Sequence, residues 1–311
     1  MFLSNMKIAS GQVAVLYMIV ATGFIADKIG LFTEKTARLC TDLLFYIITP
    51  AVIIRSFLDI KYDPQTAKGL FIAMGCGMLM HTISVLINLP LFRRGDKNDD
   101  SVLKYGAVFG NCGYMALPLA GAVIGSQGVF YCSAVIMSFQ IFSFTYGIYI
   151  MSDNLNGKVK FEYKRLFLNP GTISVAIGLP LFLLGVSMPG IIIKPISYVA
   201  DMNTPFAMIV FGTYLANTDF RTIFKNGRIF LAAFTKLVAL PLIMLFTLRL
   251  LGISGELLTS LTLSASAPSA TNTVIFAAKY NRNTGLAAQT VALVSFISII
   301  TMPVMIALSR V

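Results

Sequence analysis

Two short stretches place small and polar residues in the middle of long apolar runs. Gly110, Asn111, Cys112 and Gly113 lie inside FGNCGYMALP, Phe109 to Pro118, and Ser266, Pro268, Ser269, Thr271 and Asn272 inside SASAPSATNT, Ser264 to Thr273. A helix broken in lipid frees backbone N–H and C=O groups that only protein or a wet cavity can satisfy. The second half of a broken helix presents unpaired N–H groups and the positive end of its dipole, which together favour an anion. The donors would be the amides around Asn111 to Gly113 and Ser269 to Thr271. Side chains of Asn111, Ser266, Ser269, Thr271 and Asn272 would supplement them. Such a set fits a carboxylate. The alternative for the first stretch is tight helix packing through the small faces Gly106, Gly110, Gly121 and Gly125.

Ionisable residues inside apolar spans form a second set, because charge in lipid is costly and usually functional. Asp42 lies near the start of a second span, Asp201 near the start of a seventh, His81 in the middle of a third and Lys236 in an eighth. Lys236 and His81 are the deepest by counting. Lys236 would either pair with Asp201 or Asp42 or attract a substrate anion. His81 would either carry a coupling proton, since its charge changes near physiological pH, or pack as a lone histidine against another helix. For Asp42, Arg55 and Glu256, near span ends, snorkelling to the interface is the plainer role.

Membrane spans are the elements that must position these residues. Of 311 residues, 57% are hydrophobic and 12% charged, and the mean hydropathy is +0.81. A soluble domain carries roughly twice that charged fraction. Residues 105–152 hold no charge, and a helix needs only about 20 apolar residues to cross a bilayer, so this run is two spans hinged at Gly125-Ser126-Gln127-Gly128. The whole chain reads as ten spans, near 8–26, 37–58, 67–92, 103–125, 128–151, 166–187, 195–216, 229–250, 255–278 and 283–309, with no sizeable soluble domain. Residues 8–26 are too long for a signal-peptide core and end at Asp27-Lys28 rather than at a cleavage site. Cys40, Cys76, Cys112 and Cys132 have no paired spacing and read as free thiols.

The net charge of +11 matters here through its distribution, and it does not indicate nucleic acid. Sixteen Lys and Arg residues fall in the odd-numbered loops, against six on the other side, or seven with Arg55. The positive-inside rule then makes the odd loops cytoplasmic and puts both termini outside. Val20-Ala21-Thr22-Gly23 recurs as Val175-Ala176-Ile177-Gly178, Thr49-Pro50 as Thr204-Pro205, and Leu89-Pro90-Leu91 as Leu240-Pro241-Leu242. Two copies of five spans, 1–152 and 166–311 joined by a cytoplasmic linker at 153–165, insert in opposite senses, giving an inverted repeat. An intramembrane enzyme would need a constellation such as HExxH, DDxxD or a paired catalytic Asp. None occurs, and a single histidine cannot build a multi-histidine metal site. No cofactor is expected. A sensor would be expected to carry an added output domain, or to borrow one from a partner.

Asn169-Pro170 opening the sixth span, Asn111 through Pro118, Ala267-Pro268-Ser269 and the run Phe276 to Asn281 resemble the auxin efflux carrier family, bacterial relatives of plant PIN-formed carriers. The resemblance covers essentially the whole chain, without the long cytoplasmic loop of many plant members. It implies an all-α integral membrane fold of two inverted five-helix repeats, with broken fourth and ninth helices crossing in a transport part and a scaffold part that dimerises. It implies a secondary transporter of the bacterial plasma membrane for a small organic anion, either an auxin-like aromatic acid or a dicarboxylate such as malate or malonate. The coupling ion, proton or sodium, stays open. A sodium-coupled organic acid or bile-acid type symporter is the nearest alternative. Plant carriers have proline before the fourth-span asparagine; Gly110 stands there in this chain, which implies a less rigid crossover and a site tolerant of proline.

Overall fold

The computed structural model describes residues 2–93, 95–152, 168–217 and 226–310, and these are helical with short connections and no strand. The first part runs through α1 (Phe2–Lys28), α2 (Glu34–Leu43), α3 (Thr49–Asp59), α4 (Pro64–Leu91), α5 (Lys97–Val108), α6 (Leu117–Val123), α7 (Ser126–Phe142) and α8 (Ile148–Met151). The second runs through α9 (Pro170–Leu183), α10 (Gly190–Asp201), α11 (Asn203–Ala216), α12 (Gly227–Phe234), α13 (Leu240–Leu250), α14 (Gly255–Ser266), α15 (Asn272–Lys279) and α16 (Thr284–Ser309). The linker expected at 153–165 and the basic residues Arg94, Lys158, Lys160, Lys164, Arg165, Arg221 and Lys225 lie outside the described residues.

Helix starts follow local chemistry. Asp63 accepts from the N–H groups of Gln65 and Thr66, both at 3.0 Å, with Pro64 at the first helical position. Asn169 caps α9 through Gly171 N–H (2.9 Å), with Pro170 first. An Asx cap followed by proline satisfies one orphan donor and omits another. Gly125 turns the chain into α7 at φ 88°, where a side chain would be strained.

π-helical turns at Leu44–Ile48, Ser143–Gly147 and Thr235–Ala239 fuse α2 to α3, α7 to α8 and α12 to α13, while one at Cys112–Ala116 leads into α6. Three of the four run straight into Thr49-Pro50, Leu117-Pro118 and Leu240-Pro241. Proline offers no N–H and its ring crowds the carbonyl four residues back, so the ladder widens just upstream. Among the described residues five helices are long and apolar enough to cross a membrane: Glu34–Asp59, Pro64–Leu91, Ser126–Met151, Gly227–Leu250 and Thr284–Ser309. Large apolar side chains such as Phe71, Leu86, Phe246 and Ile300 stay exposed on them, as lipid-facing residues do. The protein is a multi-pass membrane protein.

One expectation needs correction. Residues 195–216 do not form one helix; α10 ends at Asp201 and α11 restarts at Asn203, which leaves Pro205 in a first turn, where its missing N–H costs no helix hydrogen bond. Leu89-Pro90-Leu91 lies at the end of the helix Pro64–Leu91, and Leu240-Pro241-Leu242 within the helix Gly227–Leu250. The other pairs sit at like places. Pro50 and Pro205 both sit in the first turn of a restarted helix. Gly23 lets α1 close on α11, where a Cβ would stand 2.2 Å from Ile209 O, and Gly178 lets α9 close on α3, where a Cβ would stand 2.5 Å from the Phe57 ring.

Candidate functional site

The two interrupted segments meet. Between α5 and the Cys112–Ala116 turn, and between α14 and α15, the backbone is extended, and the two chains run antiparallel at Gly110 and Ser269. Asn111 N–H donates to Pro268 O (2.6 Å) and Ala270 N–H to Phe109 O (2.9 Å). Each break therefore supplies part of the hydrogen bonding that the other lost, which is how non-helical backbone survives at membrane depth. Asn111 Oδ1 accepts from Tyr114 N–H (3.1 Å) and caps the segment Cys112–Val123. The N–H groups of Gly113, Thr271 and Asn272 have no acceptor among the described residues.

A cavity of about 50 Å³ lies against these groups. It is lined by Gly110, Asn111, Cys112, Gly113, Thr271 and Asn272 of the crossing, by Ile136, Phe139 and Gln140 of α7, and by Phe45, Thr49 and Gly171. No charged residue lines it, so its electrostatics come from two helix N-termini, each carrying roughly half a positive charge. Sequence reasoning brought six of these residues forward but missed Gln140 and Thr49. Gly171 N–H donates to Asn169 Oδ1, so that atom is an acceptor, and the Gln140 atom 3.0 Å from it must be the amide nitrogen. The remaining Gln140 Oε1 is buried with no partner among the described residues, as is Thr49 Oγ1. Nothing in the sequence near Gln140 marks it off from Gln127, the other glutamine of the same uncharged run.

Three proposed contacts lie elsewhere. Ser266 Oγ donates to Leu263 O (2.9 Å) within its own helix, Ser269 Oγ to Gly106 O (2.6 Å) across the crossing, and Pro268 contributes its carbonyl to Asn111. These residues build the crossing but do not line the cavity.

Lys236 is 0% exposed in the Thr235–Ala239 turn, and its Nζ donates to Ala265 O (3.3 Å). No carboxylate lies within 4.0 Å of it among the described residues. Asp201 is exposed and pairs with Arg55, which also reaches Asp59 (3.3 Å); Asp42 is exposed on α2. Neither acidic partner offered by the sequence meets Lys236. Lys236 also stands behind the cavity wall, because a Cβ on Gly110 would come 2.8 Å from its Nζ. A proline at 110 therefore requires this buried ammonium to shift, which the plant-like comparison did not anticipate. His81 is buried, with Nδ1 2.8 Å from Gly77 O, Nε2 without a partner among the described residues and its ring stacked on Phe142.

A family model described as membrane transport protein matches residues 8–164 and 158–306. An uncharacterized transporter of Methanocaldococcus jannaschii is 20% identical over 297 residues, 93% of this chain and 94% of that protein. With nearly the whole length matched by the model, the chain belongs to the membrane transport protein family, the auxin efflux carrier-like family that its motifs resemble.

Proposed function

We propose that the protein is a secondary transporter that moves a small organic anion by alternating access. The observation that carries this reading is the uncharged cavity at the crossing, faced by two helix N-termini, three unpaired amides and Asn111. It offers donors and partial positive charge without a fixed counter-ion, the complement of a carboxylate. Phe45, Tyr114 and Phe139 supply apolar surface suited to an auxin-like aromatic acid, and the paired N-termini suit a dicarboxylate such as malate or malonate. At about 50 Å³ the cavity holds roughly one or two waters, against about 300 to 1,000 Å³ for a typical small-molecule site. Substrate then enters only when the walls separate.

The architecture we infer is ten spans in two inverted five-span repeats, 1–152 and 166–311, with the fourth and ninth spans broken. Exchanging first with sixth and second with seventh converts the Gly23–Ile209 approach into the Gly178–Phe57 approach, which supports the duplication. The cavity is lined both by Phe45, Thr49 and Gly171 of the second and sixth spans and by the crossing, so movement of the crossing bundle against a scaffold of the first, second, sixth and seventh spans would expose it alternately. By charge distribution both termini face outward from a bacterial plasma membrane, and the scaffold is the part proposed to form a homodimer.

Thermal unfolding of purified protein in a panel of carboxylates tests the reading, since a ligand that binds the folded state raises apparent stability. Indole-3-acetate, malate and malonate are the first probes. Saturable stabilisation by at least one, with counterflow of the same acid in proteoliposomes, is expected. Stabilisation that appears only with sodium present favours the symporter alternative, and no response to any carboxylate rejects the anion site.

A further inference from the structure

Away from the crossing, a cavity of about 660 Å³ lies among four helix ends, those of α6, α13 and α16 and the start of α14. It shares no lining residue with the cavity at the crossing. Two guanidiniums line it, and each is anchored on the end of another helix: Arg249 Nη2 donates to Leu308 O (2.7 Å) and Arg310 Nη2 to Val123 O (2.8 Å). A guanidinium carries several N–H donors, and among the described residues Arg249 commits one of them in this way.

Glu256 lines the same cavity, yet among the described residues no ion pair within 4.0 Å joins it to either arginine. Opposite charges that share a cavity without neutralising one another make its lining dipolar, and the complement of such a lining is a ligand that carries both signs. The amides of Gly255 and Glu256 open α14 with no acceptor among the described residues, and Ser254 leaves them uncapped. They add backbone donors for the anionic part of that ligand. On α13, Leu242, Phe246 and Leu250 stand exposed turn after turn on one face, and the exposed Arg249 ends the same strip. An amphiphile with its phosphate at Arg249 can lay an acyl chain along this strip, the arrangement in which a basic residue at a span end meets headgroups. A soluble anion gains nothing from the strip.

We propose that this cavity binds the headgroup of an aminophospholipid, with the phosphate on Arg249 and Arg310 and the primary ammonium on Glu256. Planar guanidiniums match phosphate oxygens, and the carboxylate accepts from the ammonium. Bound there, one lipid fastens the ends of α6, α13, α14 and α16 together. The site stands on the cavity and the lipid-facing strip, independently of what the protein transports.

Native mass spectrometry of the purified, delipidated protein tests it, with dioleoylphosphatidylethanolamine, dioleoylphosphatidylcholine and dioleoylphosphatidylglycerol as probes. Saturable binding of phosphatidylethanolamine is expected, about tenfold tighter than that of phosphatidylcholine, whose methylated ammonium has no N–H to donate. Glu256 is exposed and its side chain bonds nothing among the described residues, so Glu256→Gln should fold normally and level the two lipids. Arg249→Gln should weaken both about tenfold and leave their ratio unchanged. Wild-type protein that holds phosphatidylcholine or phosphatidylglycerol as tightly as phosphatidylethanolamine overturns the proposal, as does a Glu256→Gln variant that keeps the preference. Displacement of the lipid by an equal concentration of glycerophosphoethanolamine, the same headgroup without acyl chains, also overturns it, because the site would then be one for soluble anions. If Arg249→Gln loses its fold along with the bond to Leu308, the wild type and Glu256→Gln decide by themselves.

Discussion

Asn111 uses its two side-chain heteroatoms for different ends. Oδ1 caps the following helix through Tyr114 N–H, and Nδ2 has no partner among the described residues although the residue is only 8% exposed. Asn111→Ala removes both functions. It is expected to cost about 1 kcal/mol of stability for the cap. Losing a donor to a charged ligand costs roughly 1.5 to 3 kcal/mol, or about 10-fold to 150-fold in affinity. Asn111→Asp separates the two, because it keeps the capping oxygen and turns a carboxylate toward the ligand. Its unfolding temperature without ligand should match the wild type while its affinity for the stabilising acid falls at least as far as in Asn111→Ala. Wild-type affinity in the aspartate variant would sink the anion site. At this scale the sequence was readable where a residue type is out of place, as with Asn111 or Lys236. Gln140 was not, since its orientation depends on Asn169, 29 residues on, and nothing local records that bond.

Breaks and kinks were legible at the scale of elements wherever proline or clustered small residues dictate them. Pro268 and the serines around it announce the gap after α14, and Gly110-Asn111 the gap after α5. The start of α11 and the π turn at Leu44–Ile48 have the same cause in Pro205 and Pro50, yet the sequence reading passed them over. Apolar runs hide a kink because hydropathy does not change across it. The π turn at Ser143–Gly147 has no proline at all, and periodicity is too coarse to register one inserted residue. Pro268→Ala should act on the element, not on a contact. It restores an N–H and lets α14 continue toward α15, withdrawing the amides of Thr271 and Asn272 from the cavity. Transport of every substrate is expected to fall while the unfolding temperature holds or rises. Wild-type counterflow in this variant would show that the gap is only a packing feature.

Close approaches hold the helices together: backbone on backbone at Gly23 and Gly212 between α1 and α11, Gly178 of α9 on the Phe57 ring of α3, and a cluster of Phe57, Phe130 and Phe182. At one end, Arg282 joins Asn98 (2.6 Å) to Met151 O (2.8 Å), tying the start of α5 to the end of α8. Between α7 and the start of α9, beside the cavity, the Gln140 side-chain amide donates to Asn169 Oδ1 (3.0 Å). A cavity without a charged residue has an electrical meaning. If no dissociable positive ion accompanies the substrate, each cycle moves only the charge of the anion itself across the membrane voltage. An elementary charge is worth about 2.3 kcal/mol per 100 mV, so a cell interior at about −100 mV expels a monoanion toward roughly a 50-fold gradient with no other energy source. In proteoliposomes sorted by labelling of a cysteine placed at Gln127, the end the charge asymmetry puts outside, a potassium–valinomycin potential of that sign should drive net efflux of the stabilising acid. Reversing the potential should reverse the current, and flux indifferent to voltage would mean that a counter-ion travels after all.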